Sequence, residues 1–150
     1  MPITEYGQYM SPAGGPGKLA NYQEYAADTY AAKEVIPFGA AVQLSMDGKG
    51  VTPVKTGGTP IGIALSRGIH DYTTNADDQK YVVGQPVPVV KRGNIFVVAG
   101  GDVTNGAAVK VDPATSKFVA TGETAVAFGS AVFRANATAD ALVQIEINLP

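Results

Sequence analysis

His70 is the chain's single histidine, and with Asp71 beside it and Asp77-Asp78 a few residues on, it is the first candidate for chemistry. An imidazole among carboxylates could hold a metal ion or share a proton. The spacing argues against both. Sequence neighbours in extended chain point to opposite sides, and a lone histidine lacks the second imidazole that most zinc sites use. The serines give no better start: Ser66 and Ser130 lie in or beside β-like runs, and no Gly-x-Ser-x-Gly elbow is present. Gly57-Gly58-Thr59-Pro60-Ile61-Gly62 resembles a phosphate loop only on the surface. It lacks the Gly-Lys-Ser/Thr ending and leads into a strand instead of a helix. Asp47-Gly48-Lys49-Gly50 lacks the further carboxylates of a calcium loop. Asn136-Ala137-Thr138 is a glycosylation sequon with no secretion signal to make it meaningful. The expectation is a non-enzymatic protein with no catalytic set, no metal and no cofactor.

Composition narrows the partners. A chain of 150 residues fits one domain and can bury a core without staples. It has no cysteine, so disulfides and thiolate chemistry are excluded. The net charge is −2, and Lys91-Arg92 is the only adjacent basic pair, which speaks against nucleic acid, where clustered cations must meet phosphates. No run approaches the roughly 20 apolar residues of a membrane helix, and no basic n-region precedes an apolar core at the start. Neither membrane insertion nor secretion is expected, and synthesis in a host cytoplasm fits. Only 16% of residues are charged, below the usual ~25%, so much of the surface is expected to face protein.

From Lys33 onward the sequence reads as β. Short apolar runs (Val35–Phe38, Ala41–Leu44, Val51–Val54, Ile61–Leu65, Gln85–Val90, Ile95–Ala99, Ala107–Val111, Phe118–Thr121, Ala125–Phe133, Leu142–Ile147) are separated by turn signals such as Asp47-Gly48 and Thr104-Asn105-Gly106. Arg92-Gly93-Asn94 reads as a turn between two strands, and Ser66–Lys80 as a long polar loop. Pro86 and Pro88 put two missing N–H groups on one side, which suits an edge strand and makes them the candidate oligomer edge. The spacing of strands predicts a single all-β domain, a small sandwich or barrel.

The first 32 residues differ. Met1–Ala32 carries five of the seven tyrosines (Tyr6, Tyr9, Tyr22, Tyr25, Tyr30) around the breaker-rich Ser11–Gly17. The division expected is an N-terminal arm, 1–32, on a β-rich body, 33–150. Ordering some 30 residues costs roughly 1–2 kcal/mol each, against ~2–3 kcal/mol for each buried tyrosine. Such an arm needs a surface, its own body's or a partner's. Asn21–Ala32 can also be read as a short helix, capped by Asn21 with Glu24 at the capping-box position. Tyrosines that pack on their own body are the plain alternative to tyrosines that anchor a partner. Their concentration in the segment least able to build a core favours the anchor, with Tyr6, Tyr9, Met10, Tyr22, Tyr25 and Tyr30 as candidate contacts.

Several stretches resemble one family. They are Met1-Pro2-Ile3-Thr4-Glu5-Tyr6-Gly7-Gln8 with the Gly/Pro arm, Pro37-Phe38-Gly39-Ala40-Ala41-Val42, Pro60-Ile61-Gly62-Ile63-Ala64, Tyr81 through Val97, and Gly106-Ala107-Ala108-Val109-Lys110-Val111. In order and pattern, over nearly the whole chain, they are similar to the structural cement, or head decoration, proteins of tailed bacteriophages. The resemblance implies a non-enzymatic role on the outside of the expanded head. There such a protein ties neighbouring major capsid subunits together against packaged DNA, usually as a homotrimer and in some relatives as a dimer. It carries over no catalytic residues. The competing reading is a β-sandwich binding module of a fibre, for receptor or carbohydrate. Absent tryptophan and few body tyrosines count against sugar stacking.

Overall fold

The computed structural model describes residues 16–20, 25–66 and 80–149. Among these residues eleven strands are formed: β1 (Ala26–Ala32), β2 (Ile36–Pro37), β3 (Ala41–Leu44), β4 (Gly50–Pro53), β5 (Gly62–Ala64), β6 (Lys80–Tyr81), β7 (Pro86–Val98), β8 (Ala108–Val111), β9 (Phe118–Val119), β10 (Val126–Phe133) and β11 (Leu142–Asn148). Nine of them form one sheet in the order β1-β4-β3-β5-β7-β11-β10-β8-β9, and β2 pairs with β6 separately. β1 also pairs with β7, which closes β1-β4-β3-β5-β7 into a barrel. The all-β expectation holds, and of sandwich and barrel the closed barrel is what forms.

β7 is the longest strand and belongs to both halves. Its first part forms barrel wall between β1 and β5; its second part pairs with β11 through seven consecutive residues, Arg92 to Val98. Two cores result. Val87 and Val89 join Ala32, Val42, Val51 and Ala64 inside the barrel, where Tyr81 and Phe38 plug one end with rings 5.1 Å apart. Val90, Ile95 and Val97 instead join the core beneath β8, β10 and β11, where Phe118 and Phe128 pack at 5.9 Å. Val90 and Ile95 are an odd number of residues apart, so strict alternation would send them to opposite faces. The phase is reset between them. Gly93 there has φ +137°, and Lys91 bulges out of the β1 ladder, which passes from Ala27–Val90 to Ala26–Arg92. The expected turn at Arg92-Gly93-Asn94 is thus a kink inside one continuous strand. Its pairing with Ile147 and Asn148 on β11 leaves no room for a reversal.

The expected helix over Asn21–Ala32 does not form across Ala26–Ala32, which is β1; residues 21–24 lie outside the described part. Thr29 and Tyr30 are strand formers, and β7 offers an open ladder that an isolated two- or three-turn helix could not outweigh. The edge strand expected at Pro86 and Pro88 is corrected as well, since β7 lies between β1 and β5. Ala32 N–H donates to Gln85 O at 2.9 Å, so the bonded pairs with β1 are Tyr30–Val87 and Asp28–Val89. The prolines occupy the alternate positions, with their missing donors turned away from β1. On that other side Pro88 O accepts Leu65 N–H at 2.9 Å. They sit in a closed wall, where their missing N–H groups cost the β1 ladder nothing.

Elsewhere the turn chemistry works as expected. Gly48 and Gly106 take φ +68° and +89° in the β3–β4 hairpin and ahead of β8. On β10, the six residues Ala127 to Val132 face the three from Lys110 to Ala108 on β8, a bulge centred on Gly129 at φ +79°. β9 returns to the end of β7, with Gly100 N–H donating to Phe118 O at 2.8 Å.

Two stability outcomes follow. Gly93→Ala forces a side chain into a positive-φ position and should cost about 1–3 kcal/mol, whereas Gly101→Ala, with nothing within 4 Å of the added carbon, should stay within about 0.5 kcal/mol. Phe118→Ala empties a fully buried site and should cost about 3–5 kcal/mol. Urea unfolding of the three variants checks both; equal midpoints for the two glycine variants would remove the special role given to Gly93.

Candidate functional site

The residues first weighed for chemistry are occupied structurally where the structure describes them. Asp47 caps its own hairpin: its carboxylate accepts from Ser45 Oγ and from Lys49 N–H, the latter at 3.0 Å, and faces Lys33 Nζ at 3.5 Å. The Ser45 hydroxyl bond first, then the Lys49 amide, hold that carboxyl below its ordinary range. Asn136 Oδ1 accepts Asn105 N–H at 2.8 Å and fastens two loops together. Ser66 gives its amide to Gly17 O at 2.9 Å, and Ser130 lies exposed in the β10 bulge. The Gly57-Gly58 loop is a turn closed by Gly58 N–H on Lys55 O, with Gln43 Oε1 accepting Lys55 N–H at 3.0 Å. Among the described residues no three His, Cys, Asp or Glu side chains gather to hold a metal ion. His70, Asp71, Asp77 and Asp78 lie outside them.

The arm is described in part. Tyr6, Tyr9, Met10 and Tyr22 fall outside the described residues. Gly17–Ala20 lies along the second half of β7: Gly17 N–H donates to Phe96 O at 2.8 Å, Phe96 N–H to Lys18 O at 2.8 Å, and Ala20 N–H to Asn94 O at 2.9 Å. Leu19, opposite Ile95, packs on the larger core. Gly17 and Gly39 meet so closely that a Cβ on either would lie 2.6 Å from the other's amide nitrogen. Burial lowers the Lys18 ammonium pKa. The arm therefore has a fixed root. Its described part begins at Pro16, on the lip of a cleft of about 260 Å³ lined by Pro37, Phe38, Val98, Thr115 and Lys117.

Tyr25, just before β1, and Tyr30, within it, differ. Tyr25 is 49% exposed, while Tyr30 is half-buried against the barrel core. Between them Asp28 pairs with Lys91 at 2.7 Å, and that hydrogen bond raises the lysine's pKa. Sequence reading missed a second feature. Val35, Leu44, Met46, Val82 and Val83 are all exposed, Met46 completely. The Ile36–Tyr81 pairing sets Val35 beside Val82, and the Ala31–Gly50 pairing with the Lys33–Asp47 contact brings the hairpin tip to the same barrel rim. An apolar Met46 inside a Met-Asp-Gly-Lys-Gly turn was the available signal. Apolar groups clustered on a rim commonly mark an interaction surface.

The arrangement is that of a binding body, and the comparisons agree. Residues 1–148 match the family profile described as structural cement protein (E217 gp24/Pam3 gp6). No curated protein matches. One similar solved chain comes from the capsid of Myoviridae phage XM1, at TM-score 0.71 and 17% identity over 89% of each chain. Another is the head fibre gp8.5 N base of bacteriophage phi29, at TM-score 0.56 and 16% identity over 83% of this chain and 94% of that one. At such identities these two speak for the fold, while the profile spans arm and body alike. The chain belongs to the phage structural cement protein family, and its role is structural: cementing and decorating the capsid.

Proposed function

We propose that the protein binds the outer surface of the expanded phage head and bridges neighbouring major capsid subunits, resisting the outward push of packaged DNA. The observation that carries this reading is the rooted arm. Gly17–Ala20 is bonded to β7, so whatever Met1–Gly15 grips is tied to a rigid body. That grip is assigned to Tyr6, Tyr9 and Met10, with Tyr22 and the half-exposed Tyr25 nearer the body; Tyr30, packed on the barrel, contributes less. Residues 1–15 then act as the tether. Pro16–Ala32, assigned to the arm by composition, contributes a barrel strand and the arm's root.

The protein assembles as a homotrimer in this reading, with a dimer as the second arrangement. The apolar rim of Val82, Val83 and exposed Pro86, with Pro88 behind it, suits contact between copies. Several arms on one oligomer make individually weak contacts additive in effect. No catalytic step is involved, and the mature protein resides on the virion after synthesis in the host cytoplasm. A fibre-type binding module is the alternative. It draws on the fold likeness to the phi29 head fibre base.

Co-sedimentation with undecorated, expanded heads tests the reading: the protein should pellet with them, and failure to do so would overturn it in favour of the fibre module. Deleting Met1–Gly15 spares every described bond of Gly17–Ala20. It should leave the melting temperature unchanged and weaken head binding by several kcal/mol per subunit, at roughly 2 kcal/mol for each large side chain lost from the contact. Undiminished binding by the shortened chain would show that the arm is not the anchor.

A further inference from the structure

We propose that the outward edge of β1 at Ala27 and Thr29 accepts an extended main-chain segment of a coat subunit, added to the barrel wall in line with β4. The inference rests on the capsid-binding reading above and locates a second contact, separate from the arm.

The edge follows from the ladder. Tyr30–Val87 and Asp28–Val89 are the pairs that exchange bonds with β7, so the N–H and C=O groups of Ala27 and Thr29 point the opposite way. On that side β4 meets only Ala31 and Ala32, and Lys33 N–H follows to Val51 O. Among the described residues nothing pairs with the row before Ala31, and Ala27, Asp28 and Thr29 are all exposed. An open row of donors and acceptors is a template for a strand from another chain. The usual guards are missing here. Ala27–Tyr30 contains no proline and no bulge, and its one charge, Asp28, is balanced by Lys91. β10 also extends past its neighbour β11 before Ala131, but there the Gly129 bulge distorts the edge.

The geometry selects the occupant. The slot is one strand wide and ends at Gly50, where an added Cβ would lie 2.4 Å from Ala31 O. A single extended peptide fits. The β1 edge of a second copy does not: set antiparallel about Asp28, it would carry its own Tyr25 opposite Ala31, into the space Gly50 fills. The described part of the protein's own arm is bonded elsewhere. It joins beside Phe96, six residues along β7 from the Val90 that faces Ala27, or roughly 20 Å away. A coat subunit is the partner that a capsid cement protein must meet.

The test pairs a variant with a measurement on the unaltered protein. Thr29→Pro removes an outward N–H and leaves the bonds to β7. It should keep the melting temperature and lower affinity for undecorated expanded heads at least tenfold, while Thr29→Val, which keeps the N–H, should bind like the parent. A folded Thr29→Pro protein that binds like the parent overturns the proposal. Hydrogen exchange on the parent covers the case in which the proline variant misfolds. Amides of Ala27 and Thr29 should exchange fast in free protein and at least tenfold more slowly on heads. Fast exchange on heads overturns the proposal. Slow exchange in free protein does so too, assigning the edge to a second copy if concentration-dependent and to the chain's own arm if not. A parent protein that never sediments with heads would instead remove the capsid-binding reading itself.

Discussion

Everything in the molecule is built on one strand serving two cores. β7 supplies Val87 and Val89 to the barrel and Val90, Ile95 and Val97 to the layer under β10 and β11. Each face of a regular strand can be committed only once along its length. The reset around Gly93 lets the second half present its apolar set to a different core without ending the strand. The barrel closes because β1 reaches β7's first half, and the root of the arm lies against the second. One long edge of β7 is thereby covered by Gly17–Ala20 and by β1, and the root of the arm is placed by the same strand that sets the fold.

Much of the fold was legible locally. The Asp47-Gly48 and Asn105-Gly106 turns are short-range effects, decided by which residues tolerate positive φ, and the strands around them formed within a residue or two of expectation. The misreadings share one cause. Arg92-Gly93-Asn94 carries turn residues, yet β11 runs alongside it and holds the chain straight. Pro86 and Pro88 look like edge prolines, yet the alternation of a closed ladder places their missing donors where β1 asks for none. Thr29 and Tyr30 lie in a segment with a capping signature, yet partners sixty residues away decide its state. A glycine or proline restricts one residue's backbone, and only the neighbouring strand determines what that restriction accomplishes.

The candidate surface was legible in a different way. Tyrosine crowding before residue 33 suggested an interface through composition; of the two described, Tyr30 packs on the barrel core and Tyr25 stays half-exposed. The exposed rim could not be read in advance: Val35, Leu44, Val82 and Val83 sit in runs indistinguishable from core strands, and their exposure depends on where the barrel stops. The β1 edge, unpaired before Ala31 among the described residues, is more hidden still, because main-chain groups carry no residue-type signature.

The root of the arm also governs how the molecule bears force. Gly17, Lys18 and Ala20 hold Asn94 and Phe96 by three main-chain bonds set side by side along the strand. A pull directed along β7 loads them together, as a lap joint in shear. A pull away from the sheet opens them one after another from the Gly17 end, where the Gly39 contact and the Ser66 amide must also give way. The root is therefore strong along one axis and weak across it, so the direction of a pull on residue 17 decides how much tension the joint can carry.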